Sequence, residues 1–171
     1  NGKLFLDGGN LRTNASLNFD KEIIINSTGG IDTSLDALGN KTEVTVTSKI
    51  QGNGGFVKTG IGTLTLSADN AYAGGTQVKG GTLVVNKDAN LGLSATDIEL
   101  DGGTLKLTNA DAVDFKTTSI KKDGKYPDAR VLAVGSAGGS LDISGLEIAI
   151  ETEISGKGTL TQKGNKDSVL T

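Results

Sequence analysis

Lys58-Thr59-Gly60-Ile61-Gly62-Thr63-Leu64-Thr65-Leu66-Ser67-Ala68-Asp69-Asn70-Ala71-Tyr72-Ala73-Gly74-Gly75-Thr76-Gln77-Val78-Lys79-Gly80-Gly81-Thr82-Leu83-Val84-Val85 is the stretch that decides the fold. It holds two or three short strands separated by glycine turns, with no helical period between them. Ordinary parallel strands need a crossover of a dozen or more residues, usually a helix. A strand roughly every six to eight residues leaves no room for one. The rhythm suits a solenoid, in which each strand stacks on the strand one turn earlier.

The rest of the chain supports the same fold. Asp7-Gly8-Gly9 returns as Asp101-Gly102-Gly103, Gly29-Gly30-Ile31-Asp32 as Gly138-Gly139-Ser140-Leu141-Asp142, and Ile50-Gln51-Gly52 as Ile154-Ser155-Gly156. Landmarks that recur in the same order are the signature of an array whose units bury their apolar faces against neighbours. Candidate strands are Leu4–Leu6, Ile23–Ile25, Glu43–Thr47, Thr63–Leu66, Thr82–Val85, Ile98–Leu100 and Thr104–Leu107, then Arg130–Val134, Leu141–Ile143, Leu146–Ile150 and Thr159–Thr161. Shorter ones lie at Leu17–Phe19, Phe56–Val57, Thr76–Val78 and Thr118–Ile120. Alternation, clearest in Glu43-Val44-Thr45-Val46-Thr47, sends apolar residues inward and polar ones outward. Leu64 and Leu83, each in a Gly-Thr-Leu turn-to-strand motif, belong in the core. Three strands per turn give a rung of roughly 20 residues and about eight rungs.

From Asp7 to Gly29 is 22 residues, but from Asp101 to Gly138 is 37. The surplus must leave the coil, and the charged run Lys121-Lys122-Asp123-Gly124-Lys125-Tyr126-Pro127-Asp128 holds the lone proline and an Asp-Gly turn signal. One projecting loop is therefore expected near 121–130.

Composition narrows the function. Glycine supplies 26 of 171 residues, about twice the usual ~7%, so the chain turns sharply and often. Net charge is −3 with acids and bases mixed, which gives no basic footprint for nucleic acid. No apolar run approaches the ~20 residues of a membrane helix. With no histidine and no cysteine, Ser-His-Asp and Cys-His sites and the usual zinc sets are excluded. The whole of 1–171 reads as a single β-helix segment, an internal fragment of a longer chain.

Residues 58–85 resemble the passenger-associated transport repeat of bacterial autotransporters. The matching positions are Lys58, Gly60, Gly62, Thr63, Leu64, Leu66 and Ser67, then Asn70, Tyr72, Gly74, Gly75, Thr76 and Val78, and finally Gly81, Thr82, Leu83 and Val85. Ala71 and Ala73 stand where the family often has threonine. The resemblance implies an all-β, right-handed parallel β-helix, carried outside an outer membrane by type V secretion through a C-terminal barrel. It implies a non-catalytic stalk or adhesin at the bacterial cell surface. Adhesion, autoaggregation or biofilm formation would be its work, and a host surface, a bacterial surface or a second copy its partner. The repeat would assist export by folding outside the cell. No catalytic residue, cofactor or metal is expected.

The rival class is a polysaccharide-degrading β-helix enzyme that uses acidic residues. Glu151 and Glu153 would share one strand face about 7 Å apart, within the carboxylate spacing of inverting glycosidases. Asp97 with Glu99, and Asp111 with Asp114, are weaker pairs. Alternate outward acids on a soluble strand are the simpler explanation. Asp32, Asp36 and the Asp-Gly-Gly turns do not make a calcium-binding nonapeptide repeat. The pairs Thr45/Thr47, Thr63/Thr65 and Thr159/Thr161 are too irregular for an ice-binding ladder. Asn14, Asn26 and Asn40 head three glycosylation sequons, close to the number chance would give.

Overall fold

A computed structural model describes residues 2–93, 96–109, 130–146 and 154–164. Among these the chain is a parallel β-helix with three faces. The first face stacks Leu4–Phe5, Ile23–Ile24, Ile50–Gly52 and Ala71–Tyr72. The second stacks Asn10–Thr13, Gly29–Thr33, Phe56–Thr59, Thr76–Val78, Ile98–Leu100, Leu132–Val134 and Ile154–Gly156. The third stacks Leu17–Phe19, Glu43–Val46, Thr63–Leu66, Thr82–Val85, Thr104–Leu107, Gly139–Asp142 and Leu160–Lys163. Every strand pairs in parallel with the strand one turn away. The described residues make seven turns, and the expected total of about eight concerns the whole chain.

The core follows from the period of two. On the third face Val44, Leu64, Leu83, Leu105 and Leu141 form one inward column, and Val46, Leu66, Val85 and Leu107 a second. All are buried, Leu64 and Leu83 fully, as their motif requires. The outward neighbours Thr63, Thr65, Thr82 and Thr104 are only half-covered. Phe56 and Tyr72 fill the interior at one corner, with ring centroids 5.7 Å apart. One short 3₁₀ turn, Asp88–Leu91, occupies the place where the next first-face strand would stand.

Several boundaries differ from expectation, and those at Gly29 and Gly139 turn on glycine. Gly29 and Gly30 read as a turn, yet they open a second-face strand. A Cβ on Gly29 would stand 2.3 Å from the Leu6 carbonyl oxygen, and one on Gly30 1.9 Å from that of Val57. Glycine is there because neighbouring backbone passes so close, not because the chain bends. Gly139 likewise opens the strand Gly139–Asp142 rather than preceding it. The strand expected at Arg130–Val134 is Leu132–Val134, and that expected at Thr159–Thr161 is Leu160–Lys163. Thr118–Ile120 and most of Leu146–Ile150 lie outside the described residues.

Register locates the insertions. Thr63 pairs with Thr82, 19 residues on, and Thr82 with Thr104, 22 on, but Thr104 pairs with Ser140, 36 on. The surplus thus falls between Leu107 and Leu132, as the landmark spacing requires. Residues 121–129 of the expected loop lie outside the described residues, while Arg130, its last residue, is buried in the coil. A second long step, 27 residues from Leu17 to Val44, was not foreseen. Its surplus is a tight loop closed by an antiparallel bridge between Leu35 and Lys41.

Candidate functional site

The matched repeat builds an unusual corner. Lys58 is two residues after the buried Phe56 on one strand, so alternation points both inward. Its inward column is Leu11, Ile31, Lys58, Val78, Leu100 and Val134, and Lys58 is fully buried in it. A buried ammonium must find acceptors. Its Nζ donates to the carbonyls of Thr59 at 2.7 Å, Gly60 at 3.1 Å and Gly80 at 3.0 Å. Two of these belong to its own corner and the third to the next turn. The glycines of Gly60-x-Gly62 and Gly80-Gly81 make room: a Cβ on Gly81 would lie 2.9 Å from Nζ and 2.2 Å from the Gly62 carbonyl oxygen. Burial pushes the Lys58 ammonium down to about 8, opposed by the Asp32 carboxylate. The three carbonyls also favour the charged form, whose three hydrogens they match.

A second polar set links the following turns. Asn70 Oδ1 accepts from the Ile50 backbone N–H at 2.8 Å, and its Nδ2 donates to the Asn90 carbonyl at 2.6 Å. Asn90 in turn donates Nδ2 to the Ala68 carbonyl at 2.9 Å, while its Oδ1 takes the N–H groups of Asn86 and Lys87. The buried Tyr72 hydroxyl meets Thr76 Oγ1 at 2.6 Å, and Thr76 reaches the Leu91 carbonyl at 3.3 Å. Burial raises the Tyr72 phenol above its ordinary value, so it stays neutral. Beyond the 3₁₀ turn, Arg130 grips both carboxylate oxygens of Asp88 at 2.7 and 3.2 Å and the carbonyls of Leu91, Gly92 and Thr96. The sequence marked Lys58 and Asn70 as motif positions without giving them a task, and it passed over Asn90 and the inward role of Arg130.

The outward surface carries the remaining candidates. Asp97 and Glu99 border a shallow groove with Ala73, Gly74, Gly75 and Gln77. They are engaged: Gln77 donates to Glu99 at 2.8 Å, and the Val131 N–H lies 3.4 Å from Asp97. Glu151, Glu153, Asp111 and Asp114 lie outside the described residues. Asp32 pairs with Arg12 at 3.1 Å, and Asp36 accepts the N–H groups of Leu38 and Asn40 within its own loop. No three acidic groups among the described residues gather into a metal-binding set. Thr45 stands beside Thr65 and Thr63 beside Thr82, but Glu43 and Val84 break the pairs, so no two-column threonine ladder forms. Asn14, Asn26 and Asn40 are all exposed. The unforeseen loop holds Leu38 at its tip, 86% exposed, with Leu35 and Ile61 also exposed.

The Lys58 corner, the Asn70 link and the Tyr72–Thr76 contact fall within one stretch, and the family description of the passenger-associated transport repeat matches residues 56–85. Residues 56–85 are a passenger-associated transport repeat. The match opens at Phe56, where the second-face strand itself begins, two residues before the point the sequence motif suggests. Beyond the transport repeat, the chain is 35% identical over 127 residues to the adhesin BmaC autotransporter of Brucella suis biovar 1 (strain 1330). That likeness covers 74% of this chain and 3% of the relative. The chain is thus related to autotransporter passengers and spans a small part of one. Among solved structures there is no significant match.

Proposed function

We propose that this chain is a surface-displayed passenger segment of a bacterial autotransporter, working as a non-catalytic stalk and adhesin. The observation that carries the proposal is a transport repeat set in two seven-stranded parallel stacks among the described residues. Likeness to an autotransporter adhesin supports the same role. The whole of 1–171 acts as one β-helical unit of a longer passenger, anchored through a C-terminal outer-membrane barrel. Its mechanism is mechanical: stacked rungs hold outward side chains and loops away from the membrane for contact with a host or bacterial surface. Each rung that folds outside offers an edge for the next, so folding of the repeat assists export. Self-association, and with it autoaggregation or biofilm growth, is one form of that contact.

The experiment displays the chain on bacteria from an outer-membrane barrel and compares it with the barrel alone. The proposal expects faster settling of the cells, or greater retention on host-cell layers, when the chain is present. Equal settling and equal retention, with the chain detected on the surface, would remove the adhesive role. Replacing Lys122–Asp128 by a short Gly-Ser link, which leaves Arg130 in place, separates two sources of contact. Loss of adhesion at an unchanged thermal midpoint assigns recognition to that segment.

A further inference from the structure

Apolar burial fixes the register of these rungs only in part. A slip of one residue would turn each third-face strand inside out, so burial forbids it. A slip of two residues would not. It would set Leu64 against Val85, or Leu66 against Leu83, in place of Leu64 on Leu83 and Leu66 on Val85. Both inward columns of the third face hold leucine or valine on every turn from Glu43–Val46 to Thr104–Leu107. Columns so alike barely distinguish the two stackings.

The buried polar side chains do distinguish them. Lys58 reaches the Gly80 carbonyl 22 residues away. Asn70 reaches Ile50 and Asn90, each 20 away, and Asn90 reaches Ala68, 22 away. Each of these bonds runs to a neighbouring turn. A two-residue slip moves every partner by about 6.6 Å, beyond any hydrogen bond. It would strip the Lys58 ammonium of its one acceptor on the next turn, Asn70 of both its partners and Asn90 of the acceptor of its amide N–H, and each buried polar atom left unpaired carries a desolvation cost. Best-attested among the uses of buried polar groups is this setting of register in otherwise uniform apolar seams.

We propose that Lys58, Asn70 and Asn90 are register keys, which make the transport repeat and the turn after it the segment that fixes how successive rungs stack. In this view the repeat specifies alignment more than it supplies stability. The role goes beyond the adhesive function and does not depend on it.

The chain has no cysteine, so engineered pairs read register directly. Outward Thr65 and Val84 are paired partners, about 4.8 Å apart, within disulfide reach. Thr65 and Thr82 would come into reach only after the slip that sets Leu66 against Leu83, the direction this pair reads, being otherwise about 8 Å apart. The chain bearing either T65C/V84C or T65C/T82C is unfolded in urea, refolded and oxidised, with and without K58M/N70L/N90L. With the keys present, the first pair should close, and the second only at the level of a minor state, ~0.1–10%. Without them, closure of the second pair should rise to a share comparable with the first. If it stays at its original level while the first pair closes fully, the apolar columns and corner glycines set register alone, and the proposal fails. Should the triple variant not fold, each single substitution is refolded with trimethylamine oxide, which favours burial. Slipped cross-links in any one of them support the keys. Their absence from all three, or the lack of a folded product in all three, overturns the proposal in favour of a purely stabilising role.

Discussion

Leu64→Ala tests the core directly. Leu64 is fully buried in its column between Val44 and Leu83, both themselves buried. The substitution removes one methine and two methyl groups, worth about 2.4 kcal/mol of transfer at ~0.8 kcal/mol per carbon. The vacated space adds a cavity term, because stacked rungs above and below cannot close on it. The total should fall within the range of about 2.7–5 kcal/mol seen for buried Leu→Ala changes. Thr65→Ala, one residue on and facing outward, should stay within about 0.5 kcal/mol. Urea unfolding followed by far-UV circular dichroism measures both, with the slope checked for constancy. A solenoid can lose a few rungs before the rest. Hydrogen exchange at Leu83 and Leu105 should therefore accompany the midpoint, to show whether the loss is shared. A small effect at Leu64 with a large one at Thr65 would mean that the third face is inverted, which would refute the register and all that rests on it.

Lys58→Met keeps the length of the side chain and removes its charge. Because burial lowers the Lys58 pKa to about 8 from 10.5, the unfolded chain binds this proton more tightly. The cost is therefore fully present below pH 8 and is relieved as pH rises toward 10.5. Wild type should gain on the order of 3 kcal/mol relative to Lys58→Met across that window; a constant gap would show that the ammonium is not penalised. Arg130→Ala strips a buried fork from Asp88 and should cost about 3–5 kcal/mol. Arg130→Lys should recover less than half of that, since one ammonium cannot serve two carboxylate oxygens and several carbonyls; full recovery in urea unfolding would reduce Arg130 to a mere charge. Gly62→Ala places a Cβ 2.3 Å from the Thr42 carbonyl oxygen and should cost about 2 kcal/mol or more. Gly39→Ala, at φ +82° in open space, should cost only about 1–2 kcal/mol. A reversed order of thermal midpoints would contradict the stacking at that corner.

The third face was the most legible part of the sequence. Thr63–Leu66, Thr82–Val85 and Thr104–Leu107 stand where alternation puts them, because each sends β-branched or polar residues outward and leucine or valine inward. The first face was legible only in its first two turns, at Leu4–Phe5 and Ile23–Ile24; Ile50-Gln51-Gly52 and Ala71-Tyr72 are too short to show any period. Asn10–Thr13 and Gly29–Thr33 were missed because glycine and asparagine signal turns locally. In a stack the same residues also answer to a neighbour that local rules cannot see. Lys58 shows the opposite error, where the information was present. Its spacing from Phe56 places it inside, but the general rule that lysine faces water obscured this. The loop closed by Leu35 and Lys41 likewise had its turn chemistry in view, Asp36 and Gly39-Asn40, between two strands. No outward residue is constrained by the core in this way, which is why alternation located the core and left the contact surface unread.

The internal repeat is a case in which sequence and structure agree on chemistry and differ on place. Asp7-Gly8-Gly9 precedes a second-face strand, but Asp101-Gly102-Gly103 precedes a third-face strand. Ile50–Gly52 lies on the first face and Ile154–Gly156 on the second. Yet the local work is the same in both copies. Gly8 and Gly102 have φ of +84° and +99°, and Gly52 and Gly156 have +126° and +120°. Asp7 Oδ1 accepts the Asn26 N–H at 3.0 Å, and Asp101 Oδ1 accepts that of Ala137 at 2.9 Å. A Cβ would meet the Leu6 carbonyl oxygen at Gly29 and the Leu100 Cβ at Gly139, each at 2.3 Å. Strand, turn and close approach form one grammar that any face of a solenoid can use. The second copy is the first rotated by one face about the axis. Local echoes therefore identify corners without saying which corner. Only long-range register, such as Thr104 on Ser140, assigns the face and so decides which outward residues share a surface.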